Sequence, residues 1–416
     1  MPAAAYHQPG QASYRRLILA LFAAGVATFA ALYSTQPLLG VLAQQFAIPA
    51  SRAAWSVSAA TLLLGIGMVT AGPLSNRYGR VRIIKGSLAA TAVLGAACAL
   101  APSWPVLLFL RAGQGLALAG VPAVAMVYLR EEVHVSVHPR TAGLYIAGNA
   151  IGGMTGRLLA GGVADLVGWR WALGDIAVLS GLCAVAAIKW LPASRHHRPL
   201  GRQQSRHAVT GARTTALAIW RQSARDMARV LRDGQLIRLD VIAFVAMGAF
   251  VAVYNVLGLR LTSSPFHLSV FEASLVFAVY PLGSAASALA GRLAEKTGRP
   301  IVILAGSLIA VAGVAVTLGS ALPMVVAGVA VITAGFFAIQ GVASGWAAAV
   351  GQRRHQAASE ASACYLIAYY LGSSVFGVVG TALWTSGRWP AVAAMAGGLL
   401  LVPAALTVRH SAATHS

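Results

Sequence analysis

The sequence predicts an all-α integral membrane protein, with twelve transmembrane helices arranged as two similar six-helix bundles. Three features support this fold class: an apolar composition, a regular succession of long apolar runs, and a polar turn that occurs once in each half. Of the 416 residues, 58% are hydrophobic and 10% are charged, and the mean hydropathy is +0.73. Soluble domains typically carry about 25% charged residues. A bilayer core about 30 Å thick needs roughly 20 apolar residues per helix, so the chain has room for about a dozen spans.

The predicted spans follow one another with short connections. They lie near residues 15–44, 53–75, 83–101, 105–129, 140–164 and 170–192, and then near residues 236–262, 269–292, 300–320, 323–350, 358–384 and 388–408. These limits divide the chain into an N-terminal tail (1–14), a first bundle (15–192), a linker (193–235), a second bundle (236–408) and a C-terminal tail (409–416). The first apolar run does not resemble a cleaved signal peptide, so we expect it to remain as the first span.

The basic residues fall mainly on one side of the predicted membrane. Placing the N-terminus in the cytoplasm leaves only Arg52, Arg170 and Arg388 of the 31 basic residues in outer loops. The positive-inside rule therefore predicts that both termini are cytoplasmic. We expect the protein to lie in the cell inner (plasma) membrane. The net charge of +21 is explained by this topology and by attraction to anionic inner-leaflet lipids, and not by nucleic-acid binding.

The linker between the predicted bundles is rich in Arg, His, Gln and Ser. Between Thr215 and Arg232, apolar residues alternate with arginines, a pattern typical of a helix that lies on the membrane surface. We expect a connecting role, with a regulatory or partner-binding role as the alternative.

Two similar polar turns join pairs of predicted spans. The first reads GPLSNRYGRVR and the second reads GRLAEKTGR. Each has a glycine that ends an apolar run, then a basic residue, then a second glycine before an arginine; these are Gly72, Arg77, Gly79 and Arg80 in the first copy and Gly291, Lys296, Gly298 and Arg299 in the second. Glycine permits a tight turn. The turns are therefore predicted to be tight, positively charged and cytoplasmic.

Other residues repeat at the same spacing as the turns. Pairs about 220 positions apart are Tyr33 and Tyr254, Tyr145 and Tyr365, Gly152 and Gly372, and Trp169 and Trp389. Transporters use internal symmetry of this kind to build two alternating states around a site between their halves.

The polar turns resemble the signature loop of the major facilitator superfamily, a G-x-L-x-D-R-x-G-R-R pattern between the second and third of twelve helices. The resemblance implies a secondary transporter with that superfamily's fold. This chain departs from the pattern at Asn76, where the family has an acid that is thought to meet the start of the eleventh helix. That helix here begins with Ser359 and Glu360, and a neutral amide would avoid repulsion by Glu360. The second copy keeps an acid, Glu295, which we expect to face the start of the fifth span when the protein is open to the outside.

Two arginines lie within predicted spans of the first half. Arg111, with Gln114 and Gly115, resembles the superfamily's R-x-x-Q-G motif, in which the arginine is linked to proton coupling. The fifth span reads GLYIAGNAIGGMTGR and resembles the antiporter motif, with Asn149 where the motif has proline and with Arg157 at its end. A charge inside a bilayer is costly unless it meets partners or water. Both arginines are functional candidates, with a structural ion pair as the alternative.

Acidic residues are scarce, at ten in the whole chain. Asp175, in the sixth span, is expected either to neutralise Arg157 or Arg111 or to carry the coupled proton itself. Glu272 is interpreted as part of a helix cap with Ser269. Asp240 is interpreted as a partner of Arg238.

The substrate cavity is expected between the first, fourth, seventh and tenth spans. Side chains of Tyr, Gln and Asn offer hydrogen bonds beside apolar surface, which suits an amphipathic small molecule. The candidates are Tyr33, Gln36, Gln114, Asn149, Tyr254, Asn255 and Gln340. No acid lies at mid-depth in the first or fourth span, which argues against a specialised exporter of organic cations.

The sequence shows no nucleotide-binding loop, no zinc-ligand spacing and no nucleophile arrangement, so we expect no cofactor, no metal and no enzymatic activity. The prediction is a monomeric, proton-coupled exporter of small molecules that resembles the drug-antiporter and sugar-efflux branch of the superfamily. Proton symport or facilitated uptake of a metabolite is the alternative within transport. A membrane receptor or enzyme is the remote alternative.

Overall fold

The structure is a computed structural model that describes residues 6–195, 225 and 227–413. Long helices dominate these residues, and their one isolated backbone bridge joins His7 and Val133. The described part of the linker ends at Asp233, whose carboxylate caps the helix that follows. The predicted surface helix of the linker lies largely outside the described residues.

Six spans form the first half, and we number them in chain order. They are α1 (Ala12–Tyr33), α2 (Ala50–Tyr78), α3 (Arg80–Ala99), α4 (Trp104–Glu132), α5 (His138–Val167) and α6 (Trp169–Trp190). The second half contains α7 (Gly234–Thr262), α8 (Val270–Thr297), α9 (Arg299–Val316), α10 (Leu322–His355), α11 (residues 358–387) and α12 (residues 389–413).

The number of crossings agrees with the sequence prediction. Ten of the described helices are long and apolar enough to span a membrane. The 30-residue α5 adds another long helix between α4 and α6. The last of the ten is interrupted at Arg388, where φ is 52° and ψ is −156°, and this break separates α11 from α12. The described residues therefore supply twelve spans.

The first predicted span is wrong in its length, because α1 ends at Tyr33. Proline at position 37 has no N–H group, and its ring clashes with the carbonyl four residues earlier, so the helix cannot continue through it. The chain turns over residues 34–38 and resumes in a short helix, Leu39–Gln45. This break leaves carbonyl groups at the end of α1 without partners inside the helix.

Glycines determine the turns and the closest helix contacts. Gly79 and Gly298, the second glycines of the two signature turns, have φ values of 101° and 92°, a conformation that suits glycine, as the sequence predicted. In the first half, Gly152 of α5 lies against the backbone of Val26, and a Cβ there would overlap the Val26 carbonyl. In the second half, Gly372 of α11 lies in the same way against Phe244 of α7.

The described hydrogen bonds between the two halves lie at the centre of the interface and toward one end of the helices. Between α2 and α11, the hydroxyls of Thr61 and Ser374 are 2.8 Å apart, and Gly65 packs on Tyr370. Further along, a Cβ built on Gly72 would meet no atom within 4 Å. Among the described residues, no hydrogen bond joins α2 and α11 beyond Gly65, toward the first signature turn.

The pair α5 and α8 shows the same distribution of contacts. Asp165, near the end of α5, accepts hydrogen bonds from the backbone N–H groups of Val270 and Phe271 at 3.2 and 3.0 Å. At the other end of α8, a Cβ on Gly291 would meet no atom within 4 Å. We call the end that holds both signature turns the signature-loop end, and the end where the halves meet the opposite end.

Candidate functional site

The centre of the interface between the halves holds a buried arginine. Arg157, from α5, is 1% exposed. Its Nε donates to Oε1 of Gln36, its Nη1 donates to the carbonyl of Gly153 at 2.6 Å, and its Nη2 donates to the hydroxyl of Tyr280 at 3.1 Å. Because Tyr280 belongs to α8, the guanidinium links the first half directly to the second.

Aromatic rings surround this guanidinium. Its central carbon lies 4.3 Å from the ring centroid of Tyr33, 4.7 Å from that of Tyr280 and 5.1 Å from that of Phe277. Aromatic faces attract cations, and the attraction grows when water is excluded. The rings thus offset part of the cost of burying the charge.

Two of these rings, Phe277 and Tyr280, belong to a larger aromatic cluster in the second half. Phe250 and Phe336 stack with centroids 4.0 Å apart, and Tyr254 stacks on Phe277 at 5.6 Å. The other members are Phe337, Tyr369 and Tyr370. The hydroxyl of Tyr254 lies 2.7 Å from that of Thr333. The site therefore combines one cation with a broad apolar surface.

A hydrogen-bonded relay crosses the interface next to Arg157. Nε2 of Gln36 donates to Oδ1 of Asn255 at 2.7 Å, and Nδ2 of Asn255 donates to the carbonyl of Gly377 at 3.3 Å. Gly377 is the second-half counterpart of Arg157, and a Cβ there would lie 2.9 Å from the Asn255 amide nitrogen. The two halves differ at this position: the first half has the charged Arg157, and the second half has Gly377, whose lack of a side chain leaves room for Asn255.

The second predicted arginine lies entirely within the first half. Arg111, also 1% exposed, donates to the carbonyls of Ala31, Leu32 and Ser56 at 2.9, 2.6 and 2.9 Å, and to Oε1 of Gln114. Two of these carbonyls lie in the last turn of α1, before the break at residues 34–38. The end of a helix carries partial negative charge, so Arg111 both closes that end and is stabilised by it.

The remaining cavity candidates divide between the site and the bundle interiors. Tyr33, Gln36, Tyr254 and Asn255 lie in the central site, as described above. Gln114 and Asn149 lie inside the first half, where Asn149 packs against Gly25 of α1. Gln340 lies inside the second half and accepts a 2.6 Å hydrogen bond from Tyr365.

Two interpretations of acidic residues need correction. Among the described residues, no ion pair joins Asp175 to either arginine, and its buried Oδ2 has no hydrogen-bond partner. Arg157 and Arg111 donate to other acceptors. Of the two expected roles of Asp175, only that of proton carrier therefore remains as a candidate. Asp240 does not pair with Arg238, because residues two apart on a helix do not face each other; its buried Oδ1 is also without a partner. The capping box of Ser269 and Glu272 is confirmed.

The first signature turn is held by an acid that the sequence interpretation missed. Arg80 binds Glu131, at the end of α4, through two hydrogen bonds of 2.8 and 3.2 Å. Glu131 could have been found, because it is one of only ten acids and lies on the same predicted side as the turn. Arg77 is exposed, and its guanidinium lies over the ring of Tyr78. Asn76 makes no described bond to Glu360 in this open arrangement, and Glu295 is exposed.

Tyr280, Phe277 and Asp165 were also missed, although all three contact the facing half or the central cation. The aromatic residues stand in the apolar run VFAVYPLG, which gives no local sign of a partner. Arg157 and Tyr280 are 123 positions apart. Their contact arises only when α5 and α8 pack across the interface.

Comparison with known proteins agrees with this architecture. A model of the Major Facilitator Superfamily matches residues 21–376. The chain is 36% identical over 397 residues to the MFS-type transporter YybF of Bacillus subtilis (strain 168), covering 95% of this chain and 94% of that protein. It is 37% identical over 393 residues to the inner membrane transport protein YnfM of Escherichia coli (strain K12), covering 94% of this chain and 90% of that protein.

Two solved structures show the same fold at low sequence identity. The xylose transporter XylE from E. coli, in a partially occluded inward-open conformation, superposes with a TM-score of 0.70 at 16% identity, covering 95% of this chain and 98% of that one. A bacterial homologue of the human lysosomal transporter Spinster, in an inward-facing and unoccupied conformation, gives 0.67 at 16% identity, covering 96% and 95%.

Proposed function

We propose that this chain, which belongs to the Major Facilitator Superfamily, exports small amphipathic molecules in exchange for protons by alternating access. Its relatives are transporters and not enzymes, and its fold is that of a multi-pass membrane transporter. The direction of transport, the coupling ion and the chemical class of the substrate are the proposed parts.

The observation that carries the proposal is the position of the central site. It lies where contact between the halves ends, and both halves supply its side chains: Arg157 and Gln36 from one, Tyr280 and Asn255 from the other. A rocking motion that closed the signature-loop end would separate the halves at the opposite end. The same site would then be reached from the other side, as alternating access requires.

The distribution of charge supports an orientation for this motion. Basic residues concentrate at the signature-loop end, which the positive-inside rule assigns to the cytoplasm. The arrangement is then inward-open, in an inner membrane whose anionic lipids attract that end. Both halves of the pathway belong to one chain, so a monomer is sufficient for transport.

Proton coupling is proposed to use a buried carboxyl group. A guanidinium is not deprotonated in proteins, so Arg111 and Arg157 could contribute to coupling only through their charge and their bonds. Asp175 is the predicted carrier, and its unpartnered Oδ2 supports that role. Asp240, with an unpartnered Oδ1 in α7, is a second candidate.

Inverted membrane vesicles with an acidic interior provide the test. The added solutes are phenylacetate, phenylacetamide and phenethylamine, which share a ring and differ in charge. An exporter that exchanges solute for protons raises the luminal pH when its solute is added. Vesicles without the protein supply the baseline, because weak acids and amines cross membranes unaided.

The sign of the response separates the alternatives. Solute entry that carries protons into the lumen indicates symport, and solute entry without proton movement indicates facilitated transport. In Asp175→Asn we expect proton movement to be lost while exchange of labelled solute across the membrane continues. Coupled proton movement at the wild-type level in Asp175→Asn and in Asp240→Asn would exclude both carboxyls as carriers.

A further inference from the structure

Arg157 is a buried cation without a carboxylate partner among the described residues, which include nine of the ten acids. Its three described hydrogen bonds go to an amide oxygen, a backbone carbonyl and a phenol, all of them neutral. A guanidinium has five N–H groups, so two have no acceptor in the described part of the chain. Such a charge is expensive at membrane depth.

Arg80 is paired with Glu131, and two further buried arginines solve the same problem in a different way. Arg111 binds the last carbonyls of α1, and Arg260 binds the carbonyls of Thr317 and Gly319, just beyond the end of α9, at 2.6 and 2.9 Å. The C-terminal end of a helix carries partial negative charge. Both arginines thus obtain a substitute for a counter-ion inside their own half, and Arg157 alone of the three faces the interface without one.

The surroundings of Arg157 indicate which kind of ligand could bind its two unused N–H groups. Tyr33, Phe277 and Tyr280 present ring faces or edges to the guanidinium, and Phe250 lies behind them. A carboxylate, sulfonate or phosphate group could accept from the two unused N–H groups in the paired geometry that guanidinium favours. The ring surfaces would bury the apolar part of the same molecule.

We infer that Arg157 is the anion-binding group of the central site and that the transported solutes are small organic anions with an apolar, ring-containing body. This inference rests on the proposed function, because it assigns the substrate class of the same site. The carboxylate of the solute binds the guanidinium, and the hydroxyl of Tyr280 and the amide of Gln36 hold the guanidinium in place.

Binding at this position would also act on the contact between the halves. Gln36 accepts from Arg157 and donates to Asn255, and Tyr280 accepts from Arg157 across the interface. An anion bound to the two unused N–H groups offsets the positive charge of the guanidinium and so weakens its hydrogen bonds to these acceptors. Substrate binding thereby loosens bonds that join the two halves, which connects occupancy of the site to the rocking motion.

Equilibrium binding tests the inference without any ion gradient. Phenylacetate, phenylacetamide and phenethylamine are titrated into the purified full chain in detergent and followed by calorimetry. We expect phenylacetate to bind at least about tenfold more tightly than the amide or the amine, the size of effect that one charge-assisted hydrogen bond gives. Arg157→Gln should remove this preference by weakening phenylacetate binding far more than phenylacetamide binding, while Arg157→Lys should retain part of it.

A matched pair of tyrosine variants separates the loss of a contact to Arg157 from a general effect of removing a buried hydroxyl. Tyr280→Phe removes a hydroxyl from Arg157 and should weaken phenylacetate binding severalfold. Tyr365→Phe removes a buried hydroxyl that binds Gln340 inside the second half, and it should leave phenylacetate affinity at the wild-type value.

Each contrary outcome overturns the inference. These are equal affinity for the three probes, phenylacetate affinity that is unchanged in Arg157→Gln, and absence of phenylacetate binding up to its solubility limit. Proton movement driven by a neutral or cationic solute in vesicles would leave the proposed function standing while this inference fails. Conversely, anion binding without any coupled proton movement would preserve the anion site and refute proton exchange.

Discussion

The two most deeply buried arginines of the first half, Arg111 and Arg157, occupy contrasting surroundings. Arg111 is enclosed within one bundle, and three backbone carbonyls fix it. Arg157 faces the other bundle, and apart from the Gly153 carbonyl its partners are side chains that can move away. Backbone carbonyls of one rigid bundle keep their positions when the halves rock, whereas contacts across the interface are broken. A buried charge whose partners belong to its own bundle stabilises that bundle, whereas one whose partners lie across the interface can take part in the motion between the halves.

The largest expected effect separates these two residues. Arg111→Gln leaves carbonyls at the end of α1 without a donor, and we expect a loss of about 3 kcal/mol of stability, measured as a lower melting temperature in detergent. Arg157→Gln should change the melting temperature much less, because its neighbours are neutral side chains that can pair again, and yet it should abolish transport of anionic solutes. A larger stability loss in Arg157→Gln than in Arg111→Gln contradicts the distinction.

The bonds at the opposite end should have the next largest effect. Thr61→Val combined with Ser374→Ala removes the hydroxyl contacts between α2 and α11. At about 1 kcal/mol per bond, the equilibrium should shift severalfold toward closure of the signature-loop end. Spin labels at the exposed positions 74 and 293 report this closure as a shorter distance.

The matched control for that experiment is Ser362→Ala, whose hydroxyl binds only Ala358 in its own helix. It should leave the label distances unchanged. If the double variant behaves like this control, the hydroxyl contacts do not hold the two halves together.

The signature turn allows a subtler test of the closed state. Asn76 and Glu360 are unbonded in the open arrangement, and we expect them to meet when the signature-loop end closes. Asn76→Asp then places two carboxylates together and should reduce the population of the closed form about fivefold, since two like charges about 4 Å apart in water repel by about 1 kcal/mol. Adding Glu360→Gln should restore the wild-type population. If the double variant populates the closed form no more than Asn76→Asp alone, residues 76 and 360 do not meet in that form.

The smallest effect concerns a contact that does not change with the rocking motion. Asp233, just before α7, binds Arg354 and His355 at the end of α10, both at 3.0 Å. Burial raises the pKa of this carboxyl, but the hydrogen bonds from His355, Arg354 and two backbone N–H groups outweigh it and lower the pKa from 3.8 to about 2.

The sign of this shift gives a pH dependence. The lowered pKa means that folding favours the charged form of the Asp233 carboxylate. Its contribution to stability is therefore complete at pH values above its ordinary pKa of 3.8, and it is lost as the pH falls toward 2. Asp233→Asn should therefore lower the melting temperature by a few degrees at neutral pH and by less in acid. An equal shift at both pH values would show that the charge is not what stabilises this contact.

Local features of the sequence predicted much of the fold. Gly79 and Gly298 adopt the turn conformation that their spacing indicated, and Gly152 and Gly372 allow close helix contacts in both halves. The end of α1 at Tyr33 was also readable in principle, because Pro37 acts on its own neighbours. These signals require only residues close together in the chain.

The central site could be predicted only in part. Arg157, Gln36, Tyr33, Tyr254 and Asn255 were found as polar or aromatic residues in apolar spans. Their partners were not, because the direction in which a side chain leaves a helix and the helix that it meets depend on packing between distant segments. The expected pairing of Asp175 with an arginine failed for this reason, and so did recognition of Tyr280.

The central claim is that the two halves rock about the Arg157 site, so that one end closes as the other opens. Two label pairs on the full chain in lipid bilayers test it most directly: positions 74 and 293 at the signature-loop end, and positions 166 and 318 at the opposite end. We predict two populations in which a short distance in one pair accompanies a long distance in the other, with Thr61→Val plus Ser374→Ala favouring the form that is closed at the signature-loop end. Distances that stay in a single population at both ends, or that shorten together, would contradict the account.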